Sequence, residues 1–342
     1  MQRSKQSLGL ALVGLGHVGR GFCQLLIKQK TALERRLGVE LRFLWVCDRH
    51  PDKKIKNLRL PSETRVTRNI KPLLGDPRVD IVIELMGGLT QARRLTLEAL
   101  RSGRHVITAN KLMLATCWPE LLGAARRNNA HLFFEAAVAS GIPIIRSIRE
   151  GLVASRIHRI EGILNGTTNY ILTRMMRDAM PYKEALTQAQ RLGFAEADPS
   201  LDTSGADTAH KLSILASLAS GSWVSPATVY REGIERLNLT DILFAQNRLS
   251  LVPRLLGIAE INTGARVSAR VHPCLIPITD PMATVDDEYN AIAVSTDAAG
   301  TIYFQGKGAG ALPAASSVLS DLVDLGQLIL SSAQMQLPAQ MR

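Results

Sequence analysis

The segment G14-L-G16-H-V-G19 constrains this chain more than any other. It follows a short apolar run, residues 8–13 (LGLALV), and opens a helical pattern of Val18, Phe22, Leu25 and Leu26. Glycines at this spacing between a strand and a helix have a mechanical reading. The first permits a tight turn, the second lets backbone N–H groups approach a pyrophosphate, and the third lets the helix pack on the strand. Without that flanking context the same glycines would make an ordinary turn. With it, Gly14, Leu15, Gly16, His17, Val18 and Gly19 are expected to bind a dinucleotide.

The chain downstream keeps the same rhythm. Strand patterns at Leu41–Cys47, Val79–Glu84, His105–Thr108 and His131–Glu135 alternate with helical patterns around Ala92–Leu100 and Pro119–Asn128. Strands alternating with helices predict an α/β, Rossmann-like, doubly wound parallel sheet. After about Ala136 the rhythm changes. Pro143–Leu152, Thr168–Arg177, Lys183–Leu192, 204–219 and Asp241–Gly257 read as helices, whereas 265–276, Ala291–Ser295 and Thr301–Phe304 alternate like strands. This predicts an α+β domain with an open mixed sheet. The glycine-rich G306-K-G-A-G-A-L-P opens a final helix. At 342 residues the chain exceeds one small core. The expected division is 1–136 for nucleotide binding, completed by the helix of about 306–330, then 137–305 as a second domain, with 331–342 a short tail.

Composition narrows the function classes. The net charge of +11 raises the question of nucleic acid, but lysines and arginines are scattered and their runs are short (Arg35-Arg36, Lys53-Lys54, Arg126-Arg127). No zinc-ligand spacing or RNA-binding aromatic motif accompanies them, so anionic small molecules are the expected partners and nucleic acid is not. Cys23, Cys47, Cys117 and Cys274 lie far apart with no C-x-x-C, as in a protein of a reducing, cytoplasmic compartment. The basic-then-apolar N-terminus imitates a signal peptide, yet its apolar run leads into GHVGRG and not into a small-residue cleavage site. Leu212–Tyr230 lacks charge but is interrupted by Ser, Gly and Pro, so no membrane span is expected.

Several polar groups fall at strand ends, where ligands of such sheets bind. Asp48 ends the second strand, where a carboxylate would bond an adenosine ribose. Arg49, Lys53 and Lys54 follow at once and suit a 2′-phosphate, so NAD and NADP both remain open. T108-A-N-K111 follows the fourth strand, and a lysine there can reach the nicotinamide end of a cofactor or a substrate carboxyl group; the plainer reading is a surface lysine at a helix start. In G193-F-A-E-A-D-P-S-L-D-T-S-G-A-D-T-A-H-K, Ser204 and Asp207 fit a capping box. That reading leaves Lys211 unexplained. Asp207 and Lys211 are spaced i, i+4 and share one face of a helix that is otherwise apolar nearly all round. A buried lysine beside a carboxylate is either a structural ion pair or an acid/base for a carbinol hydroxyl whose carbon gives up hydride. His210 reads as a hydrogen-bonded supporting residue. The surplus carboxylates could hold a cationic group such as a substrate ammonium.

The ordered blocks GLGHVG, TANK, FEAAVASGIPIIRSIREGL, EGILNGTTNYILTRM, LGFAEADPSLDTSGADTAHKLSILA and GKGAGALPAASSV resemble homoserine dehydrogenase, from about Leu8 to Gly326. The resemblance implies NAD(P)-dependent interconversion of L-homoserine and L-aspartate 4-semialdehyde, on the route to threonine and methionine, by a homodimer. It implies Lys211 as proton donor/acceptor, Lys111 at the cofactor–substrate junction, and Glu196 and Asp207 as substrate-binding carboxylates. It also implies cofactor contacts at Leu15–Val18, Gly193 and Gly308. A structural sodium-type cation is implied at Glu135 and the carbonyls of Val138, Ser140 and Ile142, a donor set that suits a hard ion. The second domain would then carry catalysis and dimerisation. Two features depart from the family pattern. Cys47 stands where many relatives have Arg or Lys, which weakens the case for NADP, and the sequence ends at Arg342, where bacterial relatives often continue into an ACT domain that carries threonine feedback. A different class of protein, a catalytically idle nucleotide-binding descendant, would have no need of Lys111, Glu196, Asp207 and Lys211 together. Another amino-acid dehydrogenase would not be expected to carry NGTTNYIL.

Overall fold

The computed structural model describes residues 6–264 and 266–335, which divide into two compact units, one built from residues 6–137 and 310–335, the other from the described residues of 138–309. The first unit runs β1 (Ser7–Val13), α1 (His17–Leu37), β2 (Glu40–Cys47), α2 (Pro51–Lys54), β3 (Arg65–Thr67), α3 (Lys71–Gly75), β4 (Ile81–Glu84), α4 (Thr90–Arg101), β5 (His105–Thr108), α5 (Lys111–Arg127) and β6 (Leu132–Phe133). Its strands pair in parallel in the order β3-β2-β1-β4-β5-β6. This is the Rossmann-like doubly wound sheet. The order reverses between β1 and β4, so the G14–G19 turn sits at the switch point where such sheets bind ligands.

Apolar residues explain the layers. Leu8, Leu10 and Leu12 of β1 and Phe43 and Val46 of β2 are buried with Phe22, Leu26, Leu33 and Leu37 of α1. The helix Ala311–Met335 belongs to this same core: Ala315, Val318 and Leu322 are fully buried in it. It approaches α1 closely because both helices present glycine there. A Cβ at Gly21 would lie 3.0 Å from the carbonyl oxygen of Ala311, and one at Gly326 3.0 Å from Leu37.

The second unit adds α6 (Ile144–Arg146), β7 (Ile157–Ile163), α7 (Gly166–Arg177), α8 (Tyr182–Arg191), α9 (Ser200–Thr203), α10 (Ala206–Ser220), β8 (Tyr230–Arg231), α11 (Leu239–Leu249), β9 (Leu251–Ile261), β10 (Val267–Pro277), β11 (Tyr289–Thr296) and β12 (Gly300–Lys307). Its sheet, ordered β12-β11-β7-β9-β10-β8, is mixed: β8 runs parallel to β10 and the other pairs are antiparallel. Gly257 on β9 leaves room for α10: a Cβ there would touch Thr208 and Leu212. The opposite face carries a charge network in which Arg159 bonds Glu161 (2.6 Å) and Glu260 (2.7 Å), and Arg270 bonds Glu260 (3.1 Å).

Some expected elements differ from those observed. The helix read over Asp241–Gly257 stops at Leu249, where Ser250 takes left-handed angles (φ 55°, ψ 41°), and Leu251–Ile261 is a strand. Burial along nearly its whole length gives that strand mostly apolar residues on both faces, with no alternation to separate it from helix. The strand β7 had no sequence counterpart, because its residues IHRIEGI mix charge with apolar positions. The helix read from Pro119 begins at Lys111 and kinks at Cys117, ahead of that proline. The strand expected to reach Glu135 ends at Phe133, and Glu135 opens a 3-10 turn. Pro143–Leu152 forms α6 followed by a π turn over Ser147–Gly151. Ala265, the expected start of one strand, lies outside the described residues, and β10 begins at Val267. Among the described residues no helix is long and apolar enough to cross a membrane.

Candidate active site

In the first unit the glycine turn has the geometry its spacing requires. Gly14 adopts φ 104°, and a Cβ there would sit 2.5 Å from the carbonyl of Leu85. A Cβ at Gly19 would lie 2.0 Å from the Gly14 carbonyl oxygen, so only glycine lets α1 start this close to β1. Gly16 has open space where its Cβ would be, and no side chain caps α1. Backbone N–H groups at an uncapped start of a 21-residue helix suit a phosphate, so these residues fit a dinucleotide. They border a cleft of about 800 Å³, shared with Asp48, Arg49, Lys71 and Arg94. That is the size range of small-ligand sites.

Asp48 is already engaged. One carboxylate oxygen accepts from the Leu15 N–H (2.8 Å), the other from the His50 N–H (2.8 Å), and Lys54 Nζ reaches both at 2.9 Å. Burial would raise this carboxyl, but the bonds from Lys54, His50 and Leu15 outweigh it and hold the group below its ordinary value. The aspartate thus ties the glycine turn to the end of β2. Of the basic residues lining the cleft, Arg68 pairs with Asp52 and Arg94 with Glu98. Arg49 and Lys71 have no ion pair among the described residues.

Two buried side chains at the carboxyl edge were missed from sequence. Glu84, at the end of β4 and 0% exposed, accepts from Thr108 Oγ1 (2.6 Å) and the Met86 N–H (2.8 Å). Burial pushes its carboxyl upward. Asn110 donates to the Gly88 carbonyl (2.6 Å) and accepts from the Met113 N–H (3.0 Å), capping α5, whose first residue is Lys111. These bonds lock the Met86–Gly88 turn to the turn that presents Lys111. A carboxylate closing an otherwise apolar strand was the available sequence signal.

In the second unit α10 carries Asp207 and Lys211 on one face, and both are buried (5% and 8% exposed). Lys211 Nζ lies 2.8 Å from Asp207 Oδ2 and donates to the Leu164 carbonyl at 2.6 Å. Asn165, the N-cap of α7, donates from Nδ2 to Asp202 Oδ1 (2.7 Å) and to Asp207 Oδ2 (2.9 Å). Asp202, one of the surplus carboxylates of this stretch, therefore joins the cluster. Burial raises its carboxyl most, the Asn165 bond lowers it, the nearby Asp207 charge raises it again, and the net shift is upward. The expected capping box does not form: Gly205 precedes α10 in the left-handed region (φ 78°), and no side chain caps the helix. Asp207 is turned instead to Lys211 and Asn165.

Glu196 is exposed, with its carbonyl accepting from Gln190 Nε2. Gly193 (φ 80°) closes the turn after α8, its N–H donating to the Gln190 carbonyl. Gly308 lies against Asn290, whose side-chain amide would be 2.1–2.4 Å from a Cβ placed there. Glu135 is 5% exposed and its N–H donates to Asp321 (2.9 Å). Val138, Ser140 and Ile142 are buried, and the Ile142 carbonyl accepts from the Ile144 N–H.

A doubly wound sheet with a phosphate-ready glycine turn, in one chain with a unit whose buried lysine is paired with a carboxylate, defines a nicotinamide-dependent oxidoreductase. Comparison with known proteins gives the family. A profile for homoserine dehydrogenase matches residues 143–323, and one for the homoserine dehydrogenase NAD binding domain matches 14–135. The homoserine dehydrogenase of Bacillus subtilis is 41% identical over 318 residues, 93% of this chain and 72% of that protein. The crystal structure of a homoserine dehydrogenase from Thiobacillus denitrificans superposes with a TM-score of 0.91 at 40% identity, covering 97% of this chain and 76% of that one. A hyperthermophilic archaeal homoserine dehydrogenase mutant in complex with NADPH superposes with a TM-score of 0.79 at 25% identity, covering 98% and 99%. The chain belongs to the homoserine dehydrogenase family.

Proposed function

We propose that the chain interconverts L-homoserine and L-aspartate 4-semialdehyde with Lys211 as proton donor/acceptor. One observation carries the reading: a lysine amine, 8% exposed, held 2.8 Å from the Asp207 carboxylate on a helix that is otherwise apolar. A nicotinamide dinucleotide held at the Gly14–Gly19 turn would supply the acceptor for the hydride of the carbinol carbon. Lys211 Nζ takes the hydroxyl proton as the carbon–oxygen double bond forms, and returns it in the reverse direction. Asp207 and Glu196 hold the substrate, Asp207 also keeping Nζ in place. Lys111, the first residue of α5 at the carboxyl edge of its sheet, is read as the contact at the cofactor–substrate junction. Gly193 and Gly308 are read as cofactor contacts.

The same proposal takes NADP as the preferred cofactor. Asp48 is committed to the glycine turn and Lys54, while Arg49 and Lys71 border the cleft without ion pairs among the described residues. A mutant of an archaeal relative is known in complex with NADPH. For a structural sodium-type cation, the proposal assigns the buried Glu135 carboxylate and the carbonyls of Val138, Ser140 and Ile142, whose chemistry suits a hard ion. A homodimer and a cytoplasmic location complete the reading; four unpaired thiols accord with a reducing compartment.

The test is the rate of nicotinamide reduction with L-homoserine, on wild type, Lys211→Ala and Arg49→Ala, with NAD and NADP. Wild type should turn over, and Lys211→Ala should lose roughly 10²–10⁴-fold in kcat while still binding cofactor. Arg49→Ala should lose about tenfold in kcat/KM with NADP and little with NAD. Full activity in Lys211→Ala would refute the assigned role.

A further inference from the structure

Asn290, near the start of β11, is 1% exposed, and neither its Oδ1 nor its Nδ2 has a hydrogen-bond partner among the described residues. A buried amide without partners is less favourable than an apolar side chain of similar shape, so packing alone does not call for asparagine here. The group needs another account.

Strand register gives its place. Asn290 pairs with Gly306 of β12 and lies one step beyond the pair that Ala291 makes with Ile163 of β7. Past those positions β7 leads into Leu164, whose carbonyl accepts from Lys211 Nζ at 2.6 Å, and β12 leads through Lys307 into Gly308. The amide is pressed on that glycine. A Cβ at Gly308 would lie 2.1 Å from Asn290 Cγ, 2.2 Å from Nδ2 and 2.4 Å from Oδ1, so no side chain fits at 308 while asparagine stands at 290. The turn is fastened on another side by its carbonyls: the Ser140 N–H donates to Gly308 (3.0 Å) and the Gly141 N–H to Lys307 (2.9 Å). A turn already fastened by backbone bonds thus meets an amide whose own bonding capacity is unspent.

We propose that Asn290 is a positioning residue for the dinucleotide, its amide setting the Gly308 turn in the conformation that contacts the cofactor. This rests on the reading of Gly308 as a cofactor contact and deepens it. When the dinucleotide packs on the turn, the peptide groups of the turn supply the amide with the partner it lacks. A hydrogen bond made in one state only favours that state, so the amide contributes to cofactor affinity and not to the stability of the fold.

Asn290→Leu keeps a branched side chain and removes both polar atoms. The measurements are the denaturant midpoint without dinucleotide, the Kd for NADPH from its fluorescence, and the steady-state constants of homoserine oxidation. The midpoint should stay at the wild-type value or rise, since no bond is lost. The Kd for NADPH and the KM for the dinucleotide should rise roughly tenfold. The loss should fall there, with kcat and the KM for homoserine changed by less than about threefold. An unchanged Kd would overturn the proposal, and so would a lower midpoint with the loss spread over kcat and both KM values, the mark of a structural amide. If Asn290→Leu is too large to fold, Asn290→Ala decides by the same Kd and the same division between KM and kcat. Asn290→Ala also clears the space that a Cβ at 308 needs, so Gly308→Ala can be added to it. Weaker NADPH binding in that double variant, with Asn290→Ala alone unchanged, would keep Gly308 as the contact and remove Asn290. Wild-type affinity in both would remove the Gly308 contact itself.

Discussion

Asp202 and Asp76 show how environment decides what a carboxylate does. Asp76 accepts from Trp45 Nε1 (2.9 Å) and pairs with Arg78 (2.6 Å), and the Arg78 guanidinium holds its carboxyl far below the ordinary value. Asp202 is shifted the other way, mainly by burial. The signs of their pH dependence follow. A depressed group stabilises the fold above its ordinary value and loses that contribution on acidification. A raised group binds its proton more tightly in the folded chain, so stability falls as pH climbs from the ordinary carboxylate value towards the raised one. Asn at position 202 can still accept from Asn165. Asp202→Asn is therefore expected to remain folded and to lose less stability than wild type as pH rises above the ordinary carboxylate range, as read from denaturant midpoints at several pH values. An identical pH dependence in the two proteins would exclude Asp202 as a raised group. Burial likewise pushes the Cys23 thiol up to about 12 and the Cys47 and Cys274 thiols up to about 11, so these cysteines are poor nucleophiles at neutral pH.

At the scale of elements, the connection between β10 and β11 is held by side chains from α7 and β9. Asn169 Nδ2 reaches the carbonyls of Val285 (2.9 Å), Asp287 (3.0 Å) and Tyr289 (3.2 Å), and Arg174 pairs with Asp287, which sits at φ 55°. Arg254, 0% exposed on β9, donates to the Ala283 carbonyl (2.8 Å) and Asp286 (2.9 Å). Truncating one member of a buried pair typically costs about 3–5 kcal/mol, because charge and carbonyls lose their partner. Arg254→Ala should fall in that range, and Arg254→Met should lose less, since its side chain refills the space. A shift below about 1 kcal/mol in Arg254→Ala would show that the connection does not depend on this clamp. The NGTTN block thus serves two purposes within one helix. Asn165 reaches towards the carboxylate cluster, and Asn169 secures the chain between two strands.

For the whole molecule, the first unit is discontinuous in sequence: its core needs Ala315, Val318 and Leu322 of a helix that begins only after the second unit is complete. The second unit's sheet has α7 and α10 on one face. The other bears the Arg159–Glu161–Glu260–Arg270 network, with Tyr303 47% exposed. We take that half-covered face as the one used for the proposed homodimer. Light scattering coupled to size exclusion should give twice the 37.3 kDa chain mass, and Tyr303→Asp should shift it towards the monomer. A wild-type mass equal to one chain would exclude the dimer.

Much of this was legible in the sequence, for local reasons. Glycine spacing, strand and helix periods and the i, i+4 phase of Asp207 and Lys211 are short-range properties, and they determined the doubly wound sheet, the phosphate-ready turn and the buried ion pair. Where two local signals coincide, sequence could not choose. The mostly apolar stretch of β9, without alternation, imitated a helix, and Ser204 with Asp207 imitated a cap. Only the tertiary structure decided which distant groups share a site. Asp202 and Asn165 are 37 residues apart, and Asn165 and Asp207 are 42 apart. Their meeting depends on strand pairing and helix packing, which bring together groups whose sequence spacing carries no period. Burial then decided the chemistry, because a carboxylate's proton affinity depends on the groups packed around it and not on its neighbours along the chain.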